Sequence, residues 1–509
     1  MTDTDRSPEP NEPASGGLHL DAQRDVNIGG DVVGRDKIEQ IQGDKVIGRK
    51  YVLQIGSFNV PLVPLLGGLG VGLAILIFIG LNVANLNQQF APTPTPGRMS
   101  ASNFNVAIAE FGEAGADGKA RVTDRSRALS QSVYETLMAQ RDAFPDPIIK
   151  SSIALRYGNL PVADNLIPDE TTAATVVEAL GADMLIYGNL DAHGDFTPQF
   201  YVSPQVRGEV DALLTGPQSV GTVRFAPGAS FDASTDLRTR ASALFFIATG
   251  LTYDVFGRSA RSLEVYRQAE DILIDWPERG AGKEILYFFK GQAALFQSQQ
   301  ATGAASADLL NTAEEAFQKA IASNLDYARA HIGLGSVHYV RVQRAADLRA
   351  AIDSTDMQTM LREYDLAPGL ARQAGDALAE QVGVFSQGLG AYQLGRAYRS
   401  SDSAQASAHL DEAVQKITST IEPFAALKQP RLVAQTYLAL GAIHAQRAEM
   451  AQEQGDQSGA QTAYRAAQQA YQQCIDQAAG STDRILTDLI ARDRCGPQLE
   501  RVTQILSGQ

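Results

Sequence analysis

The hydrophobic pattern changes character several times along the chain. Residues 1–24 hold Asp, Glu, Pro and Ser and almost no large apolar side chain, which predicts disorder. Residues 25–56 carry short Val and Ile runs punctuated by Gly-Asp, with a near repeat of Gly30-Asp31 to Gly34-Arg35 in Gly43-Asp44 to Gly48-Arg49. That spacing predicts a short β-repeat segment with tight turns. Val60–Leu81 then runs 22 residues without a charge, about 33 Å as a helix and long enough for a bilayer core. A transmembrane helix is therefore expected over 60–84, followed by a Pro/Thr spacer over 85–102.

From residue 103 the period alternates. Phe104–Phe111 reads as a strand, Ser126–Met138 as a helix, Ile148–Leu155 as a strand, Thr171–Leu180 as a helix and Ala182–Leu190 as a strand. Thr197–Ser203 pairs with that last strand across the turn at Ala192–Asp195. Strand–helix–strand order predicts a small α/β domain over 103–235 with a parallel component. Residues 204–235, rich in Gly, Pro and Ser, either complete this sheet through Gly221–Phe225 or link onward. From Leu237 the pattern is helical to the end, predicting an all-α solenoid over 236–478 and capping helices over 479–509. The expected fold class is thus multidomain: β-repeat segment, one transmembrane helix, α/β domain, helical solenoid.

Two resemblances follow from particular residues. Val106-Ala107-Ile108-Ala109-Glu110-Phe111 and Gly181-Ala182-Asp183-Met184-Leu185-Ile186-Tyr187-Gly188 resemble the TolB amino-terminal-like domain, with Glu110 where that family has Pro and Met184 where it has Tyr. Further on, a Gly precedes an aromatic or His by three positions at Gly250/Tyr253, Gly335/His338, Gly395/Tyr398 and Gly441/His444. Second helices bear Tyr266/Ala269, Phe317/Ala320, Leu410/Ala413 and Tyr464/Ala467. This pattern resembles the tetratricopeptide repeat: small residues let paired helices approach, and bulky ones fill the space between them. Inserts at Ser298–Leu310 and Gln343–Pro368 interrupt the period. The resemblance implies a concave groove that binds a protein or peptide, with Lys290, Gln393 and Gln435 on first helices as candidate contacts.

Composition narrows the function. Lys and Arg number 43 against 58 Asp and Glu, a net charge of −15, which argues against nucleic-acid binding. Lys45, Arg49 and Lys50 precede the apolar run and no Lys or Arg follows until Arg98, so the N-terminus is expected inside a cell membrane and the C-terminal domains outside. With 59 residues ahead of the run, a cleaved signal peptide is not expected. Gly68 and Gly72 form a GxxxG pair that could dimerise the helix; residues 25–56 are a second route to a homo-oligomer, a partner's sheet or a recognition motif. Cys474 and Cys495 are either a disulfide, favoured by an oxidising outer compartment, or two buried thiols.

Chemistry is absent from the motifs. The histidines form no HExxH and no cysteine-bearing metal cluster, no Gly-x-Ser-x-Gly elbow occurs, and Arg279–Glu284 lacks the Ser or Thr and the first Gly of a phosphate loop. Gly34-Arg35-Asp36-Lys37 does not fit one either. No enzymatic activity, cofactor or metal is expected. The sequence points to a membrane-anchored scaffold that binds protein partners in its solenoid; the alternative is a sensor whose α/β domain takes a small ligand and signals through the membrane helix.

Overall fold

The structure, a computed structural model, describes residues 97–508 apart from 101–102, 116, 207–209, 226–230, 232–233, 275, 277–281 and 349–351. The disorder expected over 1–24, the 25–56 repeat, the 60–84 span with Gly68 and Gly72, and the spacer as far as residue 96 lie outside the described residues. Among the described residues no helix is long and apolar enough to cross a membrane. The long helices all contain charged side chains, which a membrane span largely excludes. This corrects two expectations. The fold of the described residues is an α/β region followed by an all-helical region, with no helix among them able to cross a membrane, and the single-pass membrane placement with an extracytoplasmic C-terminal half is withdrawn.

The α/β region is built on a mixed sheet. Strand β1 (Phe104–Ile108) lies between β4 (Ile153–Tyr157) and β5 (Met184–Leu190), parallel to both, with Phe104 opposite Ile153 and Val106 opposite Met184. Beyond β1, β2 (Gly112–Ala114) runs alongside the end of β5 and turns back into β3 (Ala120–Arg121). On its other edge β5 pairs antiparallel with β6 (Asp195–Val202), whose far edge carries β7 (Gly216–Ser219) and β8 (Val223–Arg224). Part of the Gly/Pro-rich stretch therefore completes the sheet.

Helix signals are local and readable. Helix α1 (Asp124–Ala143) opens on a reciprocal cap between Thr123 and Ser126. In α3 (Glu170–Leu180) the Asp169 side chain caps the Thr172 N–H, and Gly181 closes the helix in the left-handed region at φ 62°. One expectation fails: the strand read over Ile148–Leu155 begins as a helix, α2 (Pro147–Ser152), and the strand starts only at Ile153. Asp146 caps the Ile148 N–H and Pro147 sits in the first turn, which favours a helix over the alternation of the following side chains.

The C-terminal region is a solenoid-like array of helical hairpins: α4 (Thr235–Val255) with α5 (Ser259–Ala269), α6 (Lys283–Gln300) with α7 (Gly303–Ser323), α8 (Ala328–Asp347) with α9 (Ser354–Ala374), α10 (Ala377–Tyr398) with α11 (Ser403–Ser419), and α13 (Pro430–Glu453) with α14 (Gln457–Asp476). A short α12 (Ile421–Ala426) joins α11 to α13. A π-helical stretch, Ile485–Cys495, and α15 (Gly496–Ser507) close the chain. The expected inserts are themselves helical, since α7 starts at Gly303 and α9 runs through Pro368.

Sheet and solenoid share one core. The face bearing Phe104, Val106, Ile108 and Phe200 packs on α1 and α4, and the Phe200 ring lies 6.3 Å from that of Phe289 on α6. The opposite face, with Ala107, Leu185 and Tyr187, is covered by Val176, Val177 and Leu180 of α3.

Candidate functional site

The first helices of four hairpins, α6, α8, α10 and α13, turn one face to a common groove. The positions recur at helical spacing: Gln292, Leu295, Phe296 and Gln299 on α6; Ile332, Ser336, Tyr339 and Gln343 on α8; Val382, Phe385, Ser386 and Leu389 on α10; Leu432 and Gln435 on α13. Ile485, Leu489 and Ile490 of the π-helical stretch form a further wall. Together with residues from the β6–β7 connection they enclose a cavity of about 400 Å³. Its walls are mainly aliphatic and aromatic, with amide and hydroxyl groups between them, a surface suited to apolar side chains and backbone hydrogen bonds.

Of the sequence-predicted contacts, only Gln435 faces this cavity. Lys290 points elsewhere on α6: it is buried and its Nζ lies 2.7 Å from Glu270 Oε1, so its charge is spent within the molecule. Gln393 is buried between hairpins, where its Oε1 accepts from Arg396 Nη1 at 3.4 Å. A first-helix position is therefore insufficient; the residue must fall on the inner face, and Lys290 and Gln393 do not.

The most strongly organised group at the groove escaped the sequence reading. Arg329, on the first turn of α8, is 1% exposed. Its Nε and Nη2 donate to the Asp376 carboxylate at 2.6 and 3.2 Å, and its Nη1 donates to the carbonyls of Leu213 and Thr215 at 2.6 and 2.9 Å. These carbonyls belong to the β6–β7 connection, where Asp211 caps the Leu213 N–H of a single 3₁₀ turn, Ala212–Leu214. Val206, Val210, Leu213 and Leu214 are buried against the groove, and Arg431 Nη2 reaches the Val206 carbonyl at 3.3 Å. The only signal in the sequence was the 3–4 spacing of Arg329 with Ile332 and Ser336.

Burial opposes ionisation of both partners in the Arg329–Asp376 pair, but each charge rescues the other. The Asp376 carboxyl is held below its ordinary range and the Arg329 guanidinium above its own. The pair is neutral as a unit and offers N–H donors without net positive charge. Nearby, burial raises Glu170, with Asp376 adding to the effect, and crowding by the protein raises Asp211, which faces the cavity.

His331 and His338 serve packing and internal hydrogen bonds. His331 Nδ1 meets Glu363 at 2.6 Å and His338 Nδ1 meets Asp356 at 2.6 Å. Among the described residues no group of His, Cys, Asp or Glu is placed to hold a metal ion. Glu284 of the Arg279–Glu284 motif accepts from the Gly282 N–H at 2.6 Å and from Asn324 at 3.2 Å, which ties the α6 start to α7's end. Cys474 and Cys495 are bridged, fixing the π-helical stretch to α14 beside Ala434, Leu486 and Ile490.

No protein-family model matches the chain, and no curated protein matches it.

Proposed function

We propose that this chain is a protein-interaction module whose helical groove binds a segment of a protein partner, and that its hairpins are tetratricopeptide-type repeats behind a TolB-amino-terminal-like region. The observation carrying this reading is the common inner face of α6, α8, α10 and α13, where apolar side chains alternate with Gln and Ser at helical spacing. The repeat identity is supported by the glycine–aromatic contacts inside the hairpins. A Cβ on Gly335 would lie 2.5 Å from the Tyr364 ring, and one on Gly441 would lie 2.4 Å from that of Tyr471. Binding rather than bond-breaking fits a groove whose polar groups are amides, hydroxyls and already paired charges.

The experiment is site-specific photocrosslinking in the full-length chain, with the crosslinking residue at Gln435 in the groove or at Gln469 on exposed α14. The proposal expects saturable protein adducts at 435 that Phe385→Asp abolishes, and none at 469. Equal adducts at both positions, or adducts at 435 indifferent to Phe385→Asp, refute it.

A further inference from the structure

The groove already holds a stretch of its own chain. Residues 210–215 present Leu213 and Leu214 to it, both 5% exposed, while the Leu213 and Thr215 carbonyls saturate Arg329 Nη1. Gln429 Nε2, on the approach to α13, adds a long contact to Thr215 Oγ1 at 3.5 Å. These are the elements by which a groove takes a foreign segment: aliphatic side chains in apolar pockets and backbone carbonyls on fixed donors.

The electrostatics say what kind of segment fits. Asp376 neutralises Arg329, Glu170 lies near that pair, and the charged lining groups outside the turn are Asp254, Arg431 and Arg494. A neutral aliphatic stretch meets donors that want a carbonyl and walls that want methyl groups.

Resting on the groove reading above, we infer that residues 210–215 are a built-in ligand of the groove, and that the partner's binding segment is a stretch with a Leu-Leu-type aliphatic pair that displaces this turn from Arg329. The chain thus occupies its own site until the partner competes for it. Because the turn is tethered through β7, its local concentration is high, and an untethered segment must bind well to win. Recognition and self-occupancy then use one set of contacts.

The test uses the full-length chain and a fluorescein-tagged heptapeptide, Val-Asp-Ala-Leu-Leu-Thr-Gly, corresponding to residues 210–216. The tethered turn is weakened by Leu213→Ser with Leu214→Ser, changes confined to the turn that leave every side chain of α6, α8, α10 and α13 in place. The peptide should bind this variant at least about tenfold more tightly than the wild type, and a peptide with Ser in place of both leucines should lose that gain. Equal affinity for both chains overturns the inference, as does no binding to a variant of unchanged helical circular dichroism. Hydrogen exchange on the wild-type chain gives a result independent of the variant's folding. At saturating peptide the amides of 211–215 should lose protection, and unchanged protection overturns the displacement. Dimerisation of the variant without peptide would reassign the occupant to a second copy and also overturn it. Partner adducts at Gln435 that are equally strong in wild type and variant defeat self-occupancy alone, whereas loss of site-dependent adducts in both defeats the groove reading itself.

Discussion

Phe317 offers the sharpest check on how the hairpins are held together. The ring is fully buried, and a Cβ on Gly333 of α8 would sit 2.4 Å from it while one on Gly291 of α6 would sit 2.6 Å from it. With glycines on both sides and Phe288 a further 6.0 Å away between ring centroids, the ring has nowhere to retreat. Gly333→Ala gains about 1 kcal/mol of helix propensity, but the overpacking it forces costs about 1–3 kcal/mol. The net effect is a loss of up to about 2 kcal/mol. Phe317→Ala alone leaves a cavity and costs about 3–5 kcal/mol. In the double variant the new methyl enters vacated space, the overpacking vanishes and the propensity gain remains. The double variant should therefore cost about 2–4 kcal/mol, less than Phe317→Ala alone, with a coupling of about 1–3 kcal/mol, the overpacking relieved. Urea unfolding followed by circular dichroism on the full-length chain measures all three. Stabilisation by Gly333→Ala alone, or strict additivity, would refute the claim that glycine space sets the hairpin packing.

Four other outcomes are expected. Cys474→Ala with Cys495→Ala removes a cross-link spanning a sequence separation of 21 residues, a loss of about 3 kcal/mol from loop-closure entropy; limited proteolysis should then cut first within 477–509. Burial, with the Arg447 charge adding to it, depresses His444 to about 4, so the native chain resists a proton that the unfolded chain accepts. Stability should fall as pH drops from about 6.5 toward 4, and His444→Gln should flatten that slope in thermal unfolding. For His331 burial acts downward, but Glu363 and the Leu325 carbonyl outweigh it and raise its pKa; its contribution is full below about 6.5 and is lost as pH rises through the raised value, which Glu363→Gln should abolish. Asp376 contributes above the ordinary carboxylate pKa of about 3.9 and loses its hold only as pH falls through its lower folded value, so exchange protection of 211–215 should be flat from pH 5 to 8 and drop in stronger acid.

Much of the fold was legible because its signals are local. The β5–β6 hairpin, α1 and α3 follow from alternation, caps and the Gly181 stop. The helical array was readable from small and bulky residues at helical spacing, yet their pairing was not. Gly335 packs on Tyr364 of its own hairpin, whereas Gly333, two residues earlier, faces Phe317 of the preceding one. Adjacent positions on a helix point in different directions, and only the neighbours' placement shows which partner each meets. Tyr364 itself lay in a stretch read as an insert, because Pro368 and the charged residues around it mask a helical face. The same limit explains the candidate contacts: Lys290, Gln393 and Gln435 share a helix type, but rotation about the helix axis sends only Gln435 to the cavity.

The buried residue that holds the groove's loop was hidden for a different reason. Arg329 looks in sequence like an ordinary solvated arginine at a helix start, and its partners lie 47 residues ahead at Asp376 and more than a hundred residues behind at Leu213 and Thr215. A buried guanidinium is tolerable only when its donors are nearly all satisfied, so the loop carbonyls and Asp376 are conditions for its being there. That requirement links regions the sequence suggested were separate. The change of period near residue 236 marks where strands give way to helices, but the core continues across it from Phe200 to Phe289, and the loop crosses it again to reach α8. A groove closed at one side by the α/β region is not the open trough of a free solenoid. Whatever binds there must either fill the space the loop leaves or take the loop's place on Arg329.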